Sequence, residues 1–269
     1  MIQSNFCSRP FNEINFDTDG TISPCCVING RKHDTVEEYL SSDYLQKIRS
    51  DLLNNVKTPA CRACWEYESI GAWSNRINEP YTDDNFILNC HIKFSNKCNF
   101  KCRMCSAKLS SAIGVEEKLK NPITSAFSNK HTKKYFYTKL LPNLKLINIS
   151  GGEPLLSDDH LDFLKIAYLI NPNVHLSYNS NMSTTSYRGV DFKSLWKHYK
   201  LVSIIASIDG HGKAQEYQRF GSSWEKIESN MLELREHIKD IHCCVSIYNI
   251  YHLPDLINWC IKYNFDIKF

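Results

Sequence analysis

From residue 86 onward, apolar and polar positions fall into two alternating rhythms. Short apolar runs at Ile87–Phe94, Leu144–Ser150, Val174–Tyr178, Leu201–Ile208, Ile241–Ile247 and Phe265–Phe269 predict six strands. Segments of helical spacing lie between most of them, for example His160–Ile170 and Trp224–His237. Strand and helix in alternation imply parallel strands joined by right-handed crossovers. The predicted fold class is α/β, with six units forming an open, partial (βα)6 version of the eight-fold TIM-like barrel. The sixth strand coincides with the last residues, a pattern expected of a truncated or unusually short member of its class.

The first 84 residues are patterned differently and predict a small cysteine-rich α+β unit, 1–84, ahead of a core domain, 85–269. Asn12–Asp17 and Thr21–Pro24 flank Asp19-Gly20, a dipeptide suited to the positive-φ positions of a tight hairpin. Thr35-Val-Glu-Glu38 has capping-box spacing and opens a helical stretch to about Asn55, with Leu40, Tyr44, Ile48 and Leu52 on its apolar side. Pro59 ends it, and the polar stretch Asn78–Asn85 predicts the boundary.

Composition narrows the class without naming it. The 269 residues are 42% hydrophobic and 23% charged, as in an ordinary globular protein. A net charge of +3 gives no argument for nucleic acid or a membrane surface. No apolar run approaches the roughly 18 residues of a spanning helix, and the N-terminus lacks the pattern of a signal peptide, so a cytoplasmic location is expected. The twelve cysteines change the picture. Disulfide scaffolds are usually short and poor in core residues, and this chain is neither, so clustered cysteines point to metal or iron–sulfur ligation. Cys90, Cys243, Cys244 and Cys260 stand apart from the clusters and read as small core hydrophobes. Lys130–Lys139 mixes bases with aromatics and reads as an amphipathic helix with a solvated basic face.

Cys98-Asn-Phe-Lys-Cys102-Arg-Met-Cys105 directly follows the first core strand. Three thiolates on one short loop hold three irons of a cubane and leave the fourth iron open for chemistry. A zinc site completed by His91 is the bland alternative, but a histidine on the preceding strand is badly placed for it. The Cx3Cx2C spacing after a first βα-barrel strand resembles the signature of the radical S-adenosylmethionine (SAM) superfamily, with Met104 before the last cysteine. The resemblance implies an enzyme with a [4Fe–4S] cluster on Cys98, Cys102 and Cys105. It further implies that the cluster cleaves SAM to a 5′-deoxyadenosyl radical, which takes hydrogen from a substrate.

A second motif ends the second core strand, Ser150-Gly151-Gly152-Glu153-Pro154. Its glycines let backbone approach a ligand closely, and Glu153 has the chemistry to accept from an ammonium group. It resembles the family's GGE segment, which meets the methionyl amine of SAM. Ser207-Ile-Asp209-Gly210 ends the fourth core strand, with Ser207 and Asp209 spaced to share a face. It resembles the family's SxDG segment, implying contacts to the ribose, against the plain reading of a capped turn. Arg219 resembles an arginine that pairs with the SAM carboxylate. Asn179 and Asn181 end the third core strand and are expected to face SAM or substrate.

The N-terminal cysteines form a second group, Cys7, Cys25-Cys26 and Cys61-Arg-Ala-Cys64. A Cx2C turn with further cysteines on a hairpin suits zinc or an iron–sulfur cluster. Beside a radical SAM core it resembles the auxiliary-cluster domains called SPASM and twitch, implying ligation by Cys7, Cys25, Cys61 and Cys64. Cys25 is preferred to Cys26 because it follows Pro24, as in the family's PC motif. Relatives with such domains often modify peptides or proteins. The expected partners are therefore SAM, a polypeptide substrate and an electron donor such as a flavodoxin or ferredoxin. The alternative function is a non-enzymatic zinc or iron–sulfur binding module serving a protein or RNA partner.

Overall fold

The computed structural model describes residues 5–77 and 86–269. Its strands are β1 (Glu13–Phe16), β2 (Ile22–Ser23), β3 (Asn89–Lys93), β4 (Lys101–Cys102), β5 (Leu146–Ser150), β6 (His175–Ser180), β7 (Ser186–Tyr187), β8 (Val190–Asp191), β9 (Leu201–Ser207), β10 (Arg219–Phe220), β11 (Ile238–His242) and β12 (Ile267–Lys268). Eight of them make one sheet, in the order β12-β11-β9-β6-β5-β3-β1-β2. The six predicted core strands, β3, β5, β6, β9, β11 and β12, run parallel and in chain order. Helices Asp158–Ile170, Trp224–Glu233 and Leu253–Tyr263 cross between them. The result is a mostly parallel α/β sheet.

Period-two alternation decides what each face of this sheet does. Cys90, Ile92, Ile147 and Ile149 point to one side, are fully buried, and share a core with Leu161, Phe163 and Leu164 of the first crossover helix. Asn89, His91, Lys93, Asn148 and Ser150 point to the other side and are only half-buried. One face is the packed core, and the other is polar and partly open. The ends of β3, β5, β6 and β9 bring the functional candidates to that polar side.

The N-terminal hairpin forms as predicted, with Asn15 opposite Ser23 and Phe16 opposite Ile22 around Gly20 at φ +78°. It is built into the core sheet. β1 pairs in parallel with β3, Glu13 opposite Asn89 and Phe16 opposite Ile92, and Ile14, Phe16, Ile22, Val36 and Tyr39 join the same apolar cluster. The expected boundary, 78–85, lies outside the described residues.

Three expectations need correction. The single helix to Asn55 is two, Val36–Ser41 and Asp43–Leu53, because Ser42 turns extended (ψ 141°) and caps the second by accepting from the Leu45 N–H. The fifth core strand is Ile238–His242, earlier than predicted, so Cys243 and Cys244 fall beyond it. Cys244 is consequently exposed, whereas Cys90, Cys243 and Cys260 are buried as expected. The basic–aromatic segment is helical with a solvated basic face, as expected: a short helix, Lys130–Tyr135, is continued by a π turn, Phe136–Leu140, with Lys130, Lys134 and Lys139 exposed. Among the described residues, no helix is long and apolar enough to cross a membrane.

Candidate active site

The loop after β3 is held from several sides. Asn96, 2% exposed, donates from Nδ2 to the Ala107 and Pro122 carbonyls at 3.2 and 2.8 Å and accepts from the Thr124 N–H at 2.8 Å. Ser111 Oγ accepts from the Cys98 N–H at 3.2 Å, and Ser110 Oγ donates to the Phe100 carbonyl at 2.7 Å. β4 pairs antiparallel with β10, setting Cys102 opposite Arg219. The loop is therefore held by the protein's own groups. Sequence reasoning missed Asn96, Ser110 and Ser111, since short polar residues after a strand look like ordinary turn formers.

Cys98, Cys102 and Cys105 line one cavity of about 290 Å³, together with Met104, Ser150, Gly151, Gly152, Asn179, Asn181, Ser207 and Arg219. The two motifs and the third and fourth core strands thus meet at one place, at the carboxyl ends of the strands, where parallel α/β sheets bind ligands. Burial pushes the Cys98 thiol up to about 12 and the Cys102 thiol up to about 11. Such thiols are deprotonated when a metal centre takes their charge. Among the described residues, no three His, Cys, Asp or Glu side chains close on a single-ion site. The thiols surround a volume instead of a point, which fits the corners of a polynuclear cluster beside room for a ligand.

The glycines serve the loop more directly than the ligand. A Cβ on Gly152 would lie 2.3 Å from the Lys97 carbonyl oxygen, and one on Gly151 2.5 Å from that of Ser95. Gly151 also stands at φ +131°. Their close approach lets the Gly152 N–H donate to Ser95 O at 2.9 Å and the Glu153 N–H to Lys97 O at 2.8 Å. The GGE turn is thereby fastened to the cysteine loop.

Glu153 departs from expectation. Its side chain is 1% exposed and does not line the cavity. The carboxylate accepts from Ser180 Oγ at 2.9 Å, the Asn181 N–H at 2.7 Å and the Leu155 N–H at 3.2 Å. Burial nevertheless pushes its carboxyl up to about 7, against those donors. Glu153 joins the end of β5 to the end of β6. Asp209 is likewise buried and absent from the cavity lining. β9 ends at Ser207, so strand alternation does not carry on to Asp209, which is fully buried. It accepts from the Cys244 N–H at 2.8 Å, and its Oδ2 lies 2.7 Å from Arg219 Nε, an ion pair without the alignment of a hydrogen bond.

Arg219 does line the cavity, with Nη1 3.9 Å from Cys102 Sγ. Burial works against its charge, but Asp209 holds the guanidinium above its ordinary value. Asn181 lies beside the first motif cysteine, its Nδ2 3.9 Å from Cys98 Sγ and 3.2 Å from Asn99 Oδ1. His91 places Nε2 2.7 Å from Ser150 Oγ, and burial lowers it to about 4. It does not line the cavity of the three cysteines.

The N-terminal thiols also converge. Cys7, Cys25, Cys61 and Cys64 are each 7–8% exposed and line a second, tight pocket with Arg9, Val27, Asn75 and Arg76. Cys26 is exposed and lies outside that pocket. Four thiols suit zinc or an iron–sulfur cluster, and among the described residues their present positions do not close on a single ion.

A cysteine triad on the loop after a first parallel strand, facing a glycine pair on the next, is an arrangement for holding a cluster beside a small ligand. The radical SAM superfamily model matches residues 92–257, and the chain belongs to that superfamily, a superfamily of enzymes whose domain implies a [4Fe–4S] cluster and SAM. Among curated proteins, GTP 3′,8-cyclase of Shewanella denitrificans is 24% identical in a 211-residue alignment that covers 72% of this chain and 56% of that protein. The chain thus spans little more than half the length of this relative. Among solved structures, Streptococcus suis SuiB bound to S-adenosylmethionine aligns with a TM-score of 0.43 at 12% identity, over 97% of this chain and 62% of that one.

Proposed function

We propose that Cys98, Cys102 and Cys105 hold a [4Fe–4S] cluster and that the adjoining 290 Å³ cavity receives SAM. The observation that carries this reading is the meeting of all three motif thiols with Gly151, Gly152, Ser207 and Arg219 around one cavity. When bound, the cluster supplies the electron that cleaves SAM to a 5′-deoxyadenosyl radical. The chain's own contributions follow from its geometry. Arg219, kept charged by Asp209, offers a cation to an anionic ligand group while lying against Cys102. Ser207, Asn179 and Asn181 offer hydrogen bonds from the ends of β6 and β9. Leu109, Phe100 and Met104 supply the apolar part of the wall. Glu153 and the two glycines act as positioning residues that hold the loop and the strand ends in register.

The N-terminal thiols form an auxiliary metal centre on Cys7, Cys25, Cys61 and Cys64, in the manner of twitch and SPASM domains. The substrate in this reading is a polypeptide. The cyclase similarity favours a second reading, a nucleotide substrate.

Metal and product analysis tests the whole. Anaerobically reconstituted protein should carry about eight irons if both groups hold cubanes, or about four with zinc if the N-terminal group holds a single ion. Alanine at Cys98, Cys102 and Cys105 should remove about four irons and abolish 5′-deoxyadenosine formation from SAM under reductant. A parent protein that binds zinc alone, or that yields no 5′-deoxyadenosine, sinks the radical reading and supports the binding module.

A further inference from the structure

β6 ends at Ser180, and the residues after it are held from several directions. Glu153 accepts from the Asn181 N–H at 2.7 Å and from Ser180 Oγ at 2.9 Å. Ser180 Oγ accepts in turn from the Met182 N–H at 3.0 Å. Asn230, on the helix Trp224–Glu233, donates from Nδ2 to the Met182 carbonyl at 2.8 Å. Met182 is fully buried and stands at φ +58°. That left-handed conformation costs a residue with a side chain about 1–2 kcal/mol and persists only where the surroundings impose it. The turn therefore fixes where Asn181 stands.

Asn181 is 6% exposed and lines the cluster cavity. One atom of its amide lies 2.9 Å from the Ser183 backbone nitrogen. A backbone N–H only donates, so that atom is the oxygen, Oδ1, and the nitrogen points the other way. The nitrogen has two N–H groups to place. Asn99 Oδ1 accepts one at 3.2 Å. The other is left to the Cys98 sulfur, 3.9 Å from Nδ2. That sulfur also receives the Phe100 main-chain N–H at 3.4 Å. Cys98 is thus met by two neutral donors, one from its own loop and one from the end of β6.

We propose that Asn181 tunes the redox potential of the cluster on Cys98, Cys102 and Cys105, its N–H toward the Cys98 sulfur favouring the reduced form. The inference rests on the cluster assigned under the proposed function. An added electron makes the ligand sulfurs more negative, so a donor to one of them stabilises the reduced state more than the oxidised one. Hydrogen bonds to sulfur are among the factors that set such potentials. One ferric iron becomes ferrous, the external reductant gives up the electron, and no proton moves. Asn181 acts through Cys98 and is a positioning residue.

A redox titration of reconstituted holoprotein, followed by electron paramagnetic resonance without SAM, reads the potential itself. The signal to follow is the one missing when Cys98, Cys102 and Cys105 are changed to alanine. Asn181→Leu is close in size and removes the donor. At a fixed potential its ratio of reduced to oxidised cluster should fall about three- to tenfold, a downward shift of about 30–60 mV for one electron. Asn181→Asp keeps an acceptor for the Ser183 N–H but turns a carboxylate oxygen toward Cys98, so its potential should fall further. Asn179→Leu, in the same cavity lining, is the control for lost polarity and should shift less than half as far as Asn181→Leu. A parental potential in Asn181→Leu overturns the tuning role, as does an equal drop in Asn179→Leu. Failure of both Asn181 variants to hold the cluster also overturns it, because the residue is then structural. A parent protein that shows no signal from the triad sinks the cluster reading itself, and the tuning role with it.

Discussion

Replacing Gly152 with alanine isolates the fastening between the two motifs. The new Cβ would stand 2.3 Å from Lys97 O and 2.5 Å from Asn96 O. Both are backbone atoms of the loop that leads into Cys98, so no side chain can rotate away. The loop must withdraw. Overpacking of this kind costs about 1–3 kcal/mol, and loss of the Gly152–Ser95 and Glu153–Lys97 hydrogen bonds adds about 1 kcal/mol each. The total, about 3–5 kcal/mol, is a large part of the ~5–15 kcal/mol that holds a domain folded. At roughly 2–4 °C per kcal/mol for a chain of this size, the melting temperature of the metal-free protein should fall by about 6–20 °C. Cluster loading should fall too, because the same movement displaces Cys98. Gly189→Ala is the control for strain without contact. Unlike Gly152, Gly189 has positive φ (+76°), and its added Cβ meets nothing within 4 Å, so its variant carries backbone strain of about 1–2 kcal/mol and no overpacking. Differential scanning calorimetry and iron analysis of both variants decide the matter. A Gly152→Ala protein with parental iron content and a melting temperature no lower than that of Gly189→Ala would refute the close approach as the fastening.

Glu153 makes stability depend on pH. Its folded carboxyl, raised to about 7 from an ordinary 4.5, binds a proton that the unfolded chain has released between those values. The contribution is full below pH 4.5 and is lost as pH rises through 7, a change of about 3 kcal/mol. Denaturant titrations of metal-free protein should show this decline, and Glu153→Gln should flatten it; a parental slope in the variant would contradict the assignment. Arg219→Met strands the fully buried Asp209, so a loss of about 3–5 kcal/mol is expected, partly recovered on adding Asp209→Asn. A double variant no more stable than the single one counts against the pair. Cys25→Ser should lower the metal content of the N-terminal centre while Cys26→Ser leaves it unchanged, and metal analysis showing the reverse would exchange the two ligands.

The strands and the triad were legible because each follows from spacing within a few residues. Alternation of Cys90 and Ile92 with His91 and Lys93 marks a strand with one buried face, and three cysteines within eight residues mark a shared ligand. Side-chain destinations were less legible. Glu153 and Asp209 read as ligand contacts because their segments resemble the family's GGE and SxDG segments. Their partners, the Asn181 N–H and Arg219, come from other parts of the chain, and no local pattern announces such pairings. The helix break at Ser42 escaped notice because apolar periodicity runs through it, while the serine works as a cap. The place of the hairpin in the sheet was also hidden, since edge pairing over a long separation leaves no signal in either segment alone.

That edge pairing bears on how the polypeptide acquires its shape during synthesis. Glu13 sits beside Asn89, so the hairpin leaves the ribosome well before its neighbouring strand exists. Closing a span of such length carries an entropic toll that grows only logarithmically, but parallel, non-local pairing is slow to form. Until β3 arrives, the inner edge of β1 has nothing to bond, a condition that invites association with other nascent chains. The same ladder links the two cysteine groups. The strand that feeds the Cys98 loop acquires its outer neighbour only when the N-terminal hairpin pairs with it, so both groups are brought alongside by one pairing event.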